Sequence, residues 1–131
     1  MMISFSLLCR TAAGTALCGL LLGSAWAHHG WAWAEEEQMR LAGTVKEVQM
    51  APPHPHLEVQ TPQGAWRVEL ANPSQTREAG FVESSAKPGD SIIATGNRAK
   101  NHAEMRMKAV QITVEGKTYD IYPERIKQQD R

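Results

Sequence analysis

The hydrophobic positions along the chain change period several times, and the changes mark the elements. From His28 to Arg40 (HHGWAWAEEEQMR) no period is clean. This stretch reads as an extended arm anchored by Trp31 and Trp33. Val45 and Val48 to Met50 are apolar but one residue out of phase, which suits a strand interrupted by a bulge better than a helix. Leu57, Val59 and Thr61 alternate with His56, Glu58 and Gln60, the pattern of a half-buried strand. Thr61-Pro62-Gln63-Gly64 then reverses the chain, with the fixed φ of proline at the second position and a glycine at the fourth. Trp66, Val68 and Leu70 continue inward while Arg67 and Glu69 face out. In this hairpin Glu58 and Arg67 are expected to lie opposite each other on the exposed face.

Asn72-Pro73-Ser74 opens the one predicted helix: Asn72 is its N-cap, Pro73 its first residue and Gly80 its stop, barely two turns on. Lys87-Pro88-Gly89-Asp90 is a second turn, leading into Ser91 to Gly96, a strand too apolar for an exposed edge. Ala103, Met105 and Met107 alternate with charged residues, after which Val110, Ile112 and Val114 take over in the opposite phase. A second bulge explains the switch. Glu115-Gly116-Lys117 turns the chain into Thr118 to Tyr122. Five to six short strands, two of them bulged, with one short helix between the third and fourth, is the order of a mainly β fold, a small OB-like Greek-key barrel. A small β-sandwich is the alternative.

Composition adds a compartment. From Met1 to Ala27 the only charged side chain is Arg10, and the apolar stretch Thr11 to Gly23 ends in Ala25-Trp26-Ala27. This is the pattern of a secretory signal peptide, with the mature chain expected to begin at His28. The organisation read from the sequence is therefore a cleaved signal at 1–27, an arm at 28–40, a barrel domain at 41–126 and a frayed tail at 127–131. The expected location is periplasmic, with no membrane association after cleavage. Both cysteines, Cys9 and Cys18, leave with the signal, and 104 of the 131 residues remain, with 13 basic and 14 acidic side chains. No thiolate nucleophile or Cys-type zinc site is then available. The near-zero net charge, without like-charge blocks, argues against a nucleic-acid partner.

The remaining candidate chemistry lies in five histidines. Cleavage before His28 creates a free α-amine one chelate ring from its own imidazole, and His29 adds a second imidazole and an amide nitrogen. Nitrogen-rich sites of this type favour Cu(II), with Ni(II) and Zn(II) behind it. His54-Pro55-His56 has the spacing that in an extended chain puts both rings on one side. An arm folded back onto the barrel would bring His28 near His54 or His56. His102, in a polar loop, reads as a solvated residue, and Met105 and Met107 as core rather than as soft ligands for Cu(I). The run Glu35-Glu36-Glu37 reads as solvated, and no nucleophile motif or phosphate-binding loop is present.

These segments resemble a bacterial family of small secreted proteins of unknown function. Its members begin after cleavage with His-His-Ser-Phe and continue with Gly-Thr-Val, Asn-Pro-His, Lys-Pro-Gly-Asp and Gly-x-Arg-Ala-Lys. The matching text is His28-His29-Gly30-Trp31, Gly43-Thr44-Val45, Pro53-His54, Lys87-Pro88-Gly89-Asp90 and Gly96-Asn97-Arg98-Ala99-Lys100. The resemblance implies an envelope protein with an OB-like barrel and no established activity. It directs attention to His28, His29 and His54, whereas His56 stands where the family more often has an aromatic or apolar residue. Gly30 replaces the usual serine and Pro52 the usual asparagine.

Two functions are expected from this reading. The first is a non-enzymatic periplasmic metal-binding module, for copper, with His28, His29, His54 and His56 as ligands. The alternative is a non-catalytic binding or scaffolding domain for a peptide, glycan or envelope protein, in which the histidines are incidental. A copper-dependent oxidase ranks last, because so small a domain leaves little room for a substrate pocket.

Overall fold

Alternation of apolar and polar side chains builds six strands, and their pairing closes a ring. The computed structural model describes residues 30–127. Strand β1 spans Ala34–Gln49, β2 His56–Thr61, β3 Gly64–Glu69, β4 Ser91–Ala99, β5 Arg106–Val114 and β6 Lys117–Asp120. A helix, α1 (Pro73–Glu78), and two 3-10 turns (Glu83–Ser85 and Pro123–Arg125) complete the elements. The strand order is β3-β2-β1-β4-β5-β6, all neighbours antiparallel, and a parallel pairing of β3 with β5 joins the ends of a five-strand ring. This is the mainly β, OB-like architecture expected from the sequence, with β6 as an added edge strand.

Two expected bulges are present. The register of β1 against β2 shifts between Val45 and Glu47, so Lys46 is the extra residue and Val45 and Val48 both face inward or nearly so. In β5 the partners of Thr95 and Gly96 are Gln111 and Ala109, leaving Val110 as the extra residue. Gly96 is required at that point. A Cβ there would lie 2.8 Å from Ala109 Cα and nearer still to the Lys108 carbonyl oxygen. The hairpin register matches expectation, with Glu58 opposite Arg67. The Asn72 side chain caps α1 by accepting from the Gln75 amide at 2.9 Å, with Pro73 in the first turn.

The division at residue 40 is corrected. Residues 34–40, read as part of an arm, are the first half of the 16-residue β1, which pairs with β4 from Ala34 to Thr44 before turning to β2. Between Ala34 and Gln38 the register slips by two residues against Asn97 and Ala99. That irregularity erases the period-two signal. Asn97 repairs it by donating from Nδ2 to the carbonyls of Glu35 (2.8 Å) and Glu36 (3.2 Å). Lys127, assigned to the tail, is tied down by its Nζ, which donates to the Glu36 carbonyl at 3.0 Å. The signal segment 1–27, His28, His29 and residues 128–131 lie outside the described residues.

The core fills the ring with Leu57, Val59, Val68, Leu70, Ile92, Met107 and Ile112, extended by Phe81 edge-on to Tyr119 at 5.3 Å. Trp66 and Met107 belong to it, as their phase indicated, and Met105 packs partly buried against it.

Candidate functional site

Outside the ring, one line of cross-strand partners is polar. It runs Gln49, His56, Glu69, Lys108, Asn97, Gln38 across β1, β2, β3, β5, β4 and back to β1. Side chains of directly paired residues share a face. The Leu70 amide donates to the Pro55 carbonyl at 2.8 Å, so His56 and Glu69 form the next, non-hydrogen-bonded pair, in which side chains approach most closely. Glu69, Lys108 and Asn97 are buried although they face away from the core. What covers them is the N-terminal segment 30–33 and the chain end after β6.

That cover is held by cations and aromatic rings. Lys108 Nζ donates to the Gly30 carbonyl at 2.9 Å and lies 4.8 Å from the Trp31 ring centre. Trp31 meets Tyr122 edge-on at 4.8 Å, and the Arg125 guanidinium stacks 4.0 Å over Trp31. Arg106 sits 3.8 Å over Trp33 and donates from Nε and Nη2 to the two oxygens of Glu69, each at 3.1 Å. Arg67 Nε is 3.4 Å from Glu69 Oε1. Burial pushes the Lys108 ammonium below its usual range, against the pull of Glu69 and with the nearby Arg125 and Arg106 adding to the fall. Burial also raises the Tyr122 hydroxyl to about 12. Trp31 and Trp33 are the anchors expected of them.

The histidines are placed as follows. His54 is exposed, Pro55 buried and His56 half-buried, continuing the period of β2 through the loop. The His56 side chain is 15% exposed; its Nδ1 is buried without a hydrogen-bond partner among the described residues, and its Nε2 stands 3.9 Å from Glu58 Oε1. His102 is exposed and paired with Glu35, so the run Glu35 to Glu37 is solvated only in part. Among the described residues no three His, Cys, Asp or Glu side chains are grouped so as to hold a metal ion.

Sequence reasoning missed Glu69, Arg106, Lys108 and Tyr122. Their alternation correctly assigns Glu69 and Lys108 to the outer side; their burial follows from the returning arm, which no local pattern encodes. The one available signal was three aromatic residues outside the strand phase, Trp31, Trp33 and Tyr122, within one small domain.

Among solved structures, the chain is similar to a ZRD-deleted mutant of TiaS in complex with agmatine, at 19% identity over 65% of this chain and 26% of that one, with a TM-score of 0.49. It is also similar to the S. pombe Stn1–Ten1 complex, at 16% identity over 59% of this chain and 57% of that one, with a TM-score of 0.47. In both cases it spans less than two thirds of the other chain. No curated protein matches. A family model described as a family of unknown function, DUF6152, matches residues 18–108.

Proposed function

The chain belongs to DUF6152, and from that premise we propose that it is a periplasmic, non-enzymatic metal-binding module. Copper is the ion of choice, with the amine and ring of His28, together with His29, His54 and His56, as ligands. The observation that carries the reading is the pinning of Gly30 beside the line that contains His56. Lys108 holds the Gly30 carbonyl, Lys108 pairs with Glu69, and Glu69 pairs with His56. Two interstrand steps amount to roughly 10 Å, and two residues of chain beyond Gly30 reach up to about 7 Å. The reading requires the side chains of His28 and His56 to span the remainder.

The chemistry is consistent with this reading. His56 offers a partly shielded imidazole with an unused nitrogen, and Glu58 supplies negative charge beside it. In this reading His28 and His29 complete the ligand set.

The test is a Cu(II) titration, followed by EPR, of protein secreted with its own signal and shown by intact mass to begin at His28. A stoichiometric nitrogen-ligated site of submicromolar affinity is expected, weakened at least tenfold by His54→Ala or His28→Ala and lost when one residue precedes His28. Unchanged affinity in both variants refutes the proposed ligand set.

A further inference from the structure

A second feature lies on the outer face of β1, β4 and β5. The registers there place Arg40, Thr95 and Gln111 in one transverse line and Ala42, Ile93 and Thr113 in the next. The chain end after β6 crosses beside them and makes a wall. Two hydrogen bonds fasten that wall, from Gln38 Nε2 to the Arg125 carbonyl at 2.7 Å and from Lys127 Nζ to the Glu36 carbonyl at 3.0 Å. Between floor and wall is a groove of about 350 Å3, within the range of small-molecule sites.

Its lining is one-sided in charge. Arg40 and Lys127 are the charged residues of the groove, and no carboxylate lines it. Neither cation forms an ion pair among the described residues. Two acidic groups stand at its margins: Asp120, next in line after Arg40, Thr95 and Gln111, accepts from Gln111 Nε2 at 2.7 Å, and Glu37 lines the adjoining hollow that Arg40 and Lys127 share. Opposite the cations the groove is apolar, with Ile93 on the floor, Val110 beneath and Ile126 on the wall, 37% exposed although it is a large aliphatic residue. The Ile93 line is two residues along the strands from the Arg40 line, about 7 Å away.

We propose that this groove binds a small organic carboxylate with an aliphatic body, the carboxylate on Arg40 and Lys127 and the body between Ile93 and Ile126. A guanidinium presents paired donors that match the two oxygens of a carboxylate. The separation of about 7 Å from the cationic line to the apolar line equals the length of a short alkyl chain. The amide of Gln38 and the hydroxyl of Thr95 flank the polar end. The carboxylate comes from a free short-chain acid or from the C-terminus of a peptide; the chemistry is shared.

The test is an amide-resolved NMR titration of the secreted full-length mature protein with acetate, butyrate and hexanoate, with hexylamine as the charge control and N-acetyl-leucine as the peptide-end probe. Shifts are expected at Arg40, Ile93, Thr95 and Ile126, with affinity rising about fourfold per added methylene until the apolar end is filled. Arg40→Gln is expected to weaken hexanoate at least tenfold. Ile126→Ser is expected to abolish the chain-length dependence while leaving acetate unchanged. Tighter N-acetyl-leucine than hexanoate identifies a peptide end as the source, and the reverse order a free acid. Binding of hexylamine equal to hexanoate, shifts outside the groove, or hexanoate affinity unaffected by Arg40→Gln overturns the proposal. Because Arg40 and Ile126 are surface residues, unchanged thermal unfolding of both variants separates a lost site from a lost fold.

Discussion

Substituting Gly96 by Ala tests whether the ring closes as described. The added Cβ would lie 2.8 Å from Ala109 Cα, closer still to the Lys108 carbonyl oxygen, where carbon atoms ordinarily sit at about 3.5 Å or more. Both obstacles are backbone, so no side chain can rotate away. Strands β4 and β5 must separate at the bulge, beside the residues through which β5 pairs with β3. Overpacking of this kind costs about 1–3 kcal/mol, and the loss of two flanking ladder bonds adds about 1 kcal/mol each. The expected loss is therefore about 3–5 kcal/mol, a large share of the stability of a domain this size. Urea denaturation is the assay, and with a slope of about 2 kcal/mol per molar the midpoint should fall by about 2 M. Gly89→Ala is the control: it has φ +95° but nothing within 4 Å of a new Cβ, so its cost is backbone strain alone, about 1–2 kcal/mol. A loss below about 1 kcal/mol at Gly96 would refute the close approach and with it the register of β4 against β5.

Three further outcomes follow from named contacts. Glu69→Gln keeps the shape but removes the charge that two arginines share, and should destabilise by about 2–3 kcal/mol in thermal unfolding. Asp90 accepts from the Lys87 amide (3.0 Å) and Nζ (2.9 Å), and these bonds hold its carboxyl below the ordinary 3.8, the side-chain bond most strongly. The folded state thus resists protonation, so this contribution is present above about pH 4 and lost as pH falls through the depressed value; Asp90→Asn should flatten the acid limb of stability against pH. Trp31→Ala removes the edge contact with Tyr122 and two cation contacts; hydrogen exchange should accelerate at the Ala34 amide, which donates to the Trp31 carbonyl, while amides of β2 and β3 keep their protection.

The sequence disclosed those features whose cause is local. The Asn72 cap, the Thr61–Gly64 reversal and the phase switch at Val110 each rest on residues within a few positions of one another, and the structure contains all three. The first half of β1 was illegible because its register slips by two residues between Ala34 and Gln38, and the side chain that stabilises the slip, Asn97, is about sixty residues away. The site shows the same division. The exposure of His54 and the half-burial of His56 follow from the strand period, whereas the burial of Glu69 and Lys108 depends on an arm and a chain end that meet only in the fold. No period along β3 or β5 carries that information.

The composition of the arm's contact bears on how firmly it stays docked. Undocking an apolar segment exposes surface to water without compensation, but Lys108, Arg106 and Arg125 regain hydration when released. Lys108 is 4% exposed and held by one carbonyl and two rings. Its depressed ammonium, caused first by burial, means that docking works against part of its own charge. The arm is therefore expected to open at a lower free energy than the ring beneath it, which the pairing of β3 with β5 closes. If the terminal histidines take a metal ion together with His56, the ion binds only the docked arrangement, and docking and binding share one coupling free energy. Loss of Trp31 should then weaken copper binding by the factor by which it lowers the docked population, and copper should slow exchange of the arm amides in the native chain. Copper affinity unchanged by Trp31→Ala, with the arm amides exchanging faster, would separate the two events and place the metal ligands on the arm alone.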